Sequence, residues 1–209
     1  MPVMPMFPLG SVLLPGGLLP LHVFEPRYRQ MIVDCLSADD DKEPEFGQVL
    51  ITHGREAGGG DDRAMVGTIA KVLQIDALDE NRYALVAVGT RRIRVNAWLI
   101  DDPYPIADVD DWPDENPDPP AFAEAVAAAH ERVRSTLVLA SHLTDEPTEQ
   151  FDTEISDDPL VATYHLAAIA PIGALDRYRL LAAPGPMDRL AALDEILDDV
   201  DAMLKFRLS

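Results

Sequence analysis

The segment from Phe7 to Arg29, FPLGSVLLPGGLLPLHVFEPRYR, constrains the fold more than any other stretch of the chain. Its apolar residues are broken every few positions by Pro or Gly, which excludes a long helix and cuts extended chain into short pieces. It reads as two short strands around a tight turn, followed by an abrupt helix entry at Glu25-Pro26. Pro26 suits the first helical turn, where its missing N–H has no partner to lose. Beyond it Tyr28, Met31, Ile32, Cys35 and Leu36 recur at helical spacing, so one apolar stripe must pack on a sheet.

The segment from Phe46 to Val109 supplies that sheet. After the acidic loop Asp39 to Glu45, Phe46 to Thr52 alternates as a strand, with Phe46, Gln48, Leu50 and Thr52 on one face and Val49 and Ile51 on the other. Gly58-Gly59-Gly60-Asp61-Asp62 has the composition of a flexible hairpin tip; no Lys-Ser or Lys-Thr comes after it, so it is not a phosphate loop. Met65 to Ile75 and Tyr83 to Gly89 are strands joined by the turn-forming Asp79-Glu80-Asn81. In the second, Tyr83, Leu85 and Ala87 point one way and Ala84, Val86 and Val88 the other, a two-faced apolar strand that suits a closed or covered sheet. A bend at Gly89-Thr90 leads to a further strand, Arg91 to Leu99, and Tyr104 to Val109 adds one more.

The Pro- and Asp-rich run 113–120 closes a first lobe, residues 1–112, and opens a second, 121–209, where the apolar period lengthens from two to about 3.6 residues. One helix carries Phe122, Val126, Ala129, Val133, Leu137 and Ala140, and Thr144 to Ser156 is an acidic connection. The next helix starts at Asp157-Asp158-Pro159 with Leu160, Val161, Tyr164, Ala167 and Ala168 inward. A short helix over Leu175 to Ala183 precedes a last one from Met187 to Leu204. The expected class is α+β: a β-rich lobe with one short helix, then an α-helical lobe.

The formal charge of -20 repels phosphate backbones and opposes nucleic-acid binding. No stretch has the ~20 consecutive apolar residues of a membrane span, and the N-terminus lacks the features of an export signal. Cys35 is the single cysteine, so no internal disulfide can form, and a reducing, cytoplasmic setting is expected. The five histidines share no short ligand spacing, so neither metal nor cofactor is expected, and His22 reads as a hydrogen-bonded structural imidazole.

The opening residues, FPL and then PGGLLPLHVFEPRYRQM, resemble the start of the amino-terminal, substrate-recognition domain of the ATP-dependent protease Lon. Phe46-Gly47, Val66-Gly67-Thr68-Ile69-Ala70, Arg82-Tyr83, Gly89-Thr90-Arg91-Arg92-Ile93-Arg94-Val95 and Met187-Asp188-Arg189-Leu190 occur in the same order. The resemblance implies that the first lobe is a pseudo-barrel like that of the RNA-binding PUA domains. It also implies a stand-alone, non-enzymatic module that binds unfolded or apolar polypeptide segments, with a Lon-type protease as an associated partner. Lon's chemistry needs a phosphate loop and a Ser-Lys pair in later domains; no G-x-x-x-x-G-K-[ST] occurs here. An RNA-binding protein and a cryptic hydrolase are the competing readings.

The excess of Leu and Pro near the first turn supplies the candidate peptide-binding residues: Leu13, Leu14, Pro15, Leu18 and Leu19 cannot all enter a core, and an exposed apolar patch marks a contact surface. Edge backbone nearby could add a peptide strand, and leftover apolar surface could join two copies of the chain. Arg92 and Arg94 share a strand face and are either solvated charges or a site for an acidic client group. Glu25, Arg27, Tyr28, Gly67, Gly89 and Arg91 are assigned structural roles, with Arg91 placed near a carboxylate such as Glu25.

Overall fold

The computed structural model describes residues 3–37, 43–54, 60–79, 82–143 and 155–208. The Asp39 to Asp41 part of the acidic loop, the Gly58-Gly59 tip, Glu80-Asn81 and most of the 144–156 connection lie outside the described residues. The architecture is α+β, in two compact units, residues 1–113 and 114–209.

The first unit holds β1 (Val3–Leu9), β2 (Leu18–Val23), α1 (Pro26–Ser37), β3 (Glu45–His53), β4 (Asp62–Asp79), β5 (Arg82–Trp98) and β6 (Ile106–Asp111). Strand order is β2-β5-β4-β3-β1-β6, and β5 also pairs with β6, so five strands close into a barrel and β2 stands outside it as a flange. The length of β5 makes this arrangement work: residues 83–88 pair with β2, whereas residues 93–98 pair with β6. The bend expected at Gly89-Thr90 is a register shift inside one continuous strand, between the pairs Thr68/Arg92 and Ala70/Gly89.

The first two strands exist but form no hairpin. β1 pairs with β3 in parallel and with β6, whereas β2 pairs with β5. The intervening residues 10–17 therefore run as a strap across the sheet. Gly16 takes the left-handed backbone, φ 81°, that this turn requires.

Two apolar clusters result from the alternation of side chains. Met6, Val49, Ile69, Ile93, Val95, Ala107 and Val109, drawn from all five barrel strands, fill the barrel interior. Phe7, Phe46, Ala70, Leu85 and Ala87, on the opposite faces of the same sheet, pack with Tyr28, Met31 and Ile32 of α1. Phe7 stacks on Tyr28 with ring centroids 4.0 Å apart. Cys35 is half-buried and packs against this cluster, as its spacing suggests, whereas Leu36 is exposed. Burial pushes the Cys35 thiol up to about 11, with Asp34 adding to the effect.

The second unit comprises α2 (Phe122–Ser141), α3 (Pro159–Ile169), α4 (Ala174–Leu181) and α5 (Pro186–Leu208). Asp158 caps α3, accepting from the Leu160 and Val161 amides at 2.9 and 3.2 Å. The expected inner face of α3 is corrected: Ala162, Thr163, Tyr164, Leu166 and Ala167 are buried, whereas Leu160 and Val161 are half-buried and Ala168 is exposed. A helix apolar on most sides carries no amphipathic stripe from which to read its orientation. The 113–120 run is not wholly a free junction either, because Asp114 enters this unit. Its carboxylate accepts from Arg189 and, at 2.6 Å, from the Tyr164 hydroxyl, while Arg189 also donates to Thr163 Oγ1 at 2.7 Å.

Candidate functional site

The candidate residues Leu13, Leu14 and Pro15 fall in the strap and Leu18 and Leu19 at the start of β2, and this segment is largely core. Leu13, Leu14 and Leu19 are buried, Pro15 is half-buried, and Leu18 alone projects, at 67% exposure. This corrects the expectation of an open turn, and the reason is polar. Gln48 has no solvent exposure; its Oε1 accepts from the Leu13 amide at 2.9 Å and its Nε2 donates to the Ser11 carbonyl at 2.7 Å. The Thr68 hydroxyl donates to the Leu13 carbonyl at 2.6 Å. With its backbone satisfied against the sheet, the strap can bury Leu13 and Leu14. Gly89 permits the closest approach: a Cβ there would meet the Leu14 carbonyl oxygen at 2.3 Å. At Gly67 a Cβ would meet the Gln48 carbonyl oxygen, also at 2.3 Å.

The arginine run divides three ways. Arg91 reaches Glu45 at 3.1 Å and Asp111 at 2.9 Å instead of Glu25, which pairs with Arg27 at 3.1 Å. These contacts hold the Arg91 guanidinium in its charged form. Arg92 is buried, contrary to a solvated position, with its guanidinium 4.4 Å from the Trp112 ring centroid. Arg94 is exposed and lies at the same distance from that ring. Both cations thus share one indole, a packing role for a face read as a client site. Arg27 similarly stacks on Tyr28, at 4.5 Å.

An open apolar surface does occur, on the outer side of the flange. Across β2, β5 and β4 the register aligns Leu18–Val88–Lys71, Pro20–Val86–Gln74 and His22–Ala84–Asp76. Residues two apart share a face along β2 and β5, and the register shift between Val72 and Gln74 keeps Lys71 on the same face as Gln74 and Asp76, so these three rows form one surface, opposite the side that packs on α1. It holds a groove of about 360 Å³ lined by Pro20, His22, Gln74, Asp76, Ala84 and Val86 together with Leu21 and Leu85. Ala84, Val86 and Val88 are half-buried, and Leu18 and Leu73 are exposed beside them. Tyr83 to Gly89 is thus apolar on both faces, as its sequence requires, but the second face is an open trough. His22, read from the sequence as a hydrogen-bonded structural imidazole, lies exposed on this face.

Pro20 decides how the groove can be approached. The Gly89 amide donates to the Gly17 carbonyl at 2.9 Å, so in the alternation of an antiparallel ladder Leu19, Leu21 and Val23 address β5. Leu18, Pro20 and His22 then turn their backbone groups to the free edge of β2. A proline there removes the central N–H that an added strand would need. Strand addition along this edge, one of the expected modes, is disfavoured, and the groove is entered across its face.

Sequence reasoning missed Pro20, His22, Gln74, Asp76, Ala84 and Val86 as groove residues. A signal was present in the Ala84-Val86-Val88 alternation, but which of two apolar faces stays open depends on where α1 packs.

The family model for the ATP-dependent protease La (LON) substrate-binding domain matches residues 3–199. The chain is 30% identical over 150 residues to Lon protease 2 of Myxococcus xanthus and, over the same length, to Lon protease of Anaeromyxobacter dehalogenans (strain 2CP-C). Each alignment covers 70% of this chain but only 18% and 17% of those proteins, so the chain spans less than a fifth of their length. A Lon N-terminal domain protein from Xanthomonas campestris superposes with a TM-score of 0.63 at 27% identity, covering 92% of this chain and 97% of that one. The N-terminal domain of Mycobacterium avium complex Lon protease has the same fold, with a TM-score of 0.66 at 17% identity, covering 95% and 99%.

Proposed function

This chain belongs to the LON substrate-binding domain family, and we propose that its first unit recognises exposed apolar segments of other polypeptides through the outer groove of the flange, without chemistry of its own. The observation that carries the reading is the row Pro20–Val86–Gln74 and its neighbours: a three-stranded surface that is apolar at its centre, polar at its rim and open to solvent. Such a surface gains by covering aliphatic area, at about 25 cal/mol per Å². A Lon-type protease is the partner that would use such recognition. Nucleic-acid binding gains no support, since Arg91 is held by carboxylates, Arg92 is buried and the chain carries a formal charge of -20.

The test is a fluorescence-anisotropy titration of the full chain with a labelled peptide, Ser-Val-Ser-Phe-Ser-Leu-Ser, which presents apolar side chains on one side when extended. Val86→Asn should weaken binding about fivefold, from roughly 1 kcal/mol of lost apolar contact at a half-buried Val. Unchanged affinity in a V86N protein with an intact melting transition would place the peptide elsewhere.

A further inference from the structure

We infer that the groove selects apolar segments flanked on one side by Lys or Arg, and that Asp76 determines this selectivity; the inference rests on the peptide-binding reading of the groove. The three rows of the face that carries the groove are chemically unequal, and the groove itself is lined by the second and third. In the first row, Lys71 is already neutralised, its Nζ lying 2.6 Å from Glu43 Oε2. The middle row, Pro20–Val86–Gln74, is apolar over its first two strands. The third row ends in Asp76, which is exposed, and the Gln74 side-chain amide donates to its Oδ2 at 2.8 Å. That hydrogen bond orients the carboxylate beside Ala84, within reach of whatever leaves the apolar centre.

Among the described residues lining the groove none is Lys or Arg, and Asp76 is the carboxylate. A cationic flank therefore meets an opposite charge at one end, and an acidic flank meets a like one. The formal charge of -20 adds a longer-range field of the same sign, which raises the local concentration of basic segments. The same argument selects among occupants. A second copy would bring another chain of charge -20, and a second Asp76, onto this face, so charge opposes self-association there and favours a basic-flanked client.

Three fluorescein-labelled peptides test this, all sharing the core Ser-Val-Ser-Phe-Ser-Leu-Ser and ending in a Lys pair, a Ser pair or a Glu pair. Anisotropy titrations of the full chain should rank them Lys over Ser over Glu, with steps of about two- to fivefold, the size expected of an exposed charge pair. Asp76→Asn should narrow the spread between the Lys-ended and Glu-ended peptides, the residual preference being that of the chain's overall charge. Added salt should shrink the Lys advantage. Equal affinities for the three, or a spread between Lys-ended and Glu-ended peptides as wide in D76N as in the unaltered chain, would overturn the charge inference and leave the groove reading standing. Failure of all three to bind, or V86N leaving the Ser-ended peptide unaffected, would overturn the groove reading and the inference with it.

Discussion

Gln48 and Thr68 face each other across β3 and β4 and between them hold both backbone groups of Leu13, the amide at 2.9 Å and the carbonyl at 2.6 Å. This clamp converts a Pro- and Gly-broken segment from a surface turn into a strap that completes the core. Neither side chain has any solvent exposure, so each polar group must find its partner within the fold.

Gln48→Leu should be among the more damaging substitutions in the first unit. It keeps the volume but leaves the buried Leu13 amide unpaired, at about 1–3 kcal/mol, and also removes the donor to the part-buried Ser11 carbonyl. Thr68→Val leaves only the Leu13 carbonyl without its donor and should cost less than Q48L, within about 1–3 kcal/mol. Urea denaturation reads both, and a Q48L loss no larger than that of T68V would contradict the clamp.

Gly89→Ala should destabilise through contact and not through backbone freedom. The added Cβ would meet the Leu14 carbonyl oxygen at 2.3 Å, and strap and β5 must separate to admit it, at about 1–3 kcal/mol for overpacking. A G89A protein with an unshifted thermal midpoint would show that the strap lifts freely.

The second unit has its own weak point in Arg189, which has no solvent exposure and is matched by Asp114. Asp114→Ala strands the guanidinium and should cost about 3–5 kcal/mol, as removal of one partner of a buried pair does. Arg189→Met with Asp114→Asn should recover much of that loss. A double variant as unstable as D114A alone would assign the effect to something other than the unpaired charge.

Alkaline pH should unfold the first unit through two tyrosines. Burial raises Tyr28 from 10.0 to about 12, and burial followed by the hydrogen bond to Asp34 does the same for Tyr104. The unfolded chain then loses these protons first, so stability is intact below about pH 10 and falls as pH rises towards 12. Tyr28→Phe and Tyr104→Phe should each flatten that decline in denaturant midpoint against pH; a slope unchanged in both variants would assign the alkaline loss to other groups.

The extent of what could be read in advance depends on the range of the forces involved. The helix entry at Pro26 and the Asp158 cap are local, and each occurs where spacing placed it, whereas α2 buries Phe122, Val126 and Val133 of its expected stripe but leaves Ala129, Leu137 and Ala140 half-buried. The barrel closure is not local. β1 and β2 adjoin in sequence yet pair with different strands, because β5 is long enough to serve β2 with one half and β6 with the other.

The sequence by itself determined the α+β class, the family and the two-faced apolar character of Tyr83 to Gly89, since these depend on residue order and short-range periodicity. Only the tertiary structure decided that Leu13, Leu14 and Leu19 are core and that Pro20, Ala84 and Val86 line the open groove. Hydrophobicity is non-directional and does not say which apolar surface is covered; that is settled by where Gln48 and Thr68 pin the strap and on which side α1 packs.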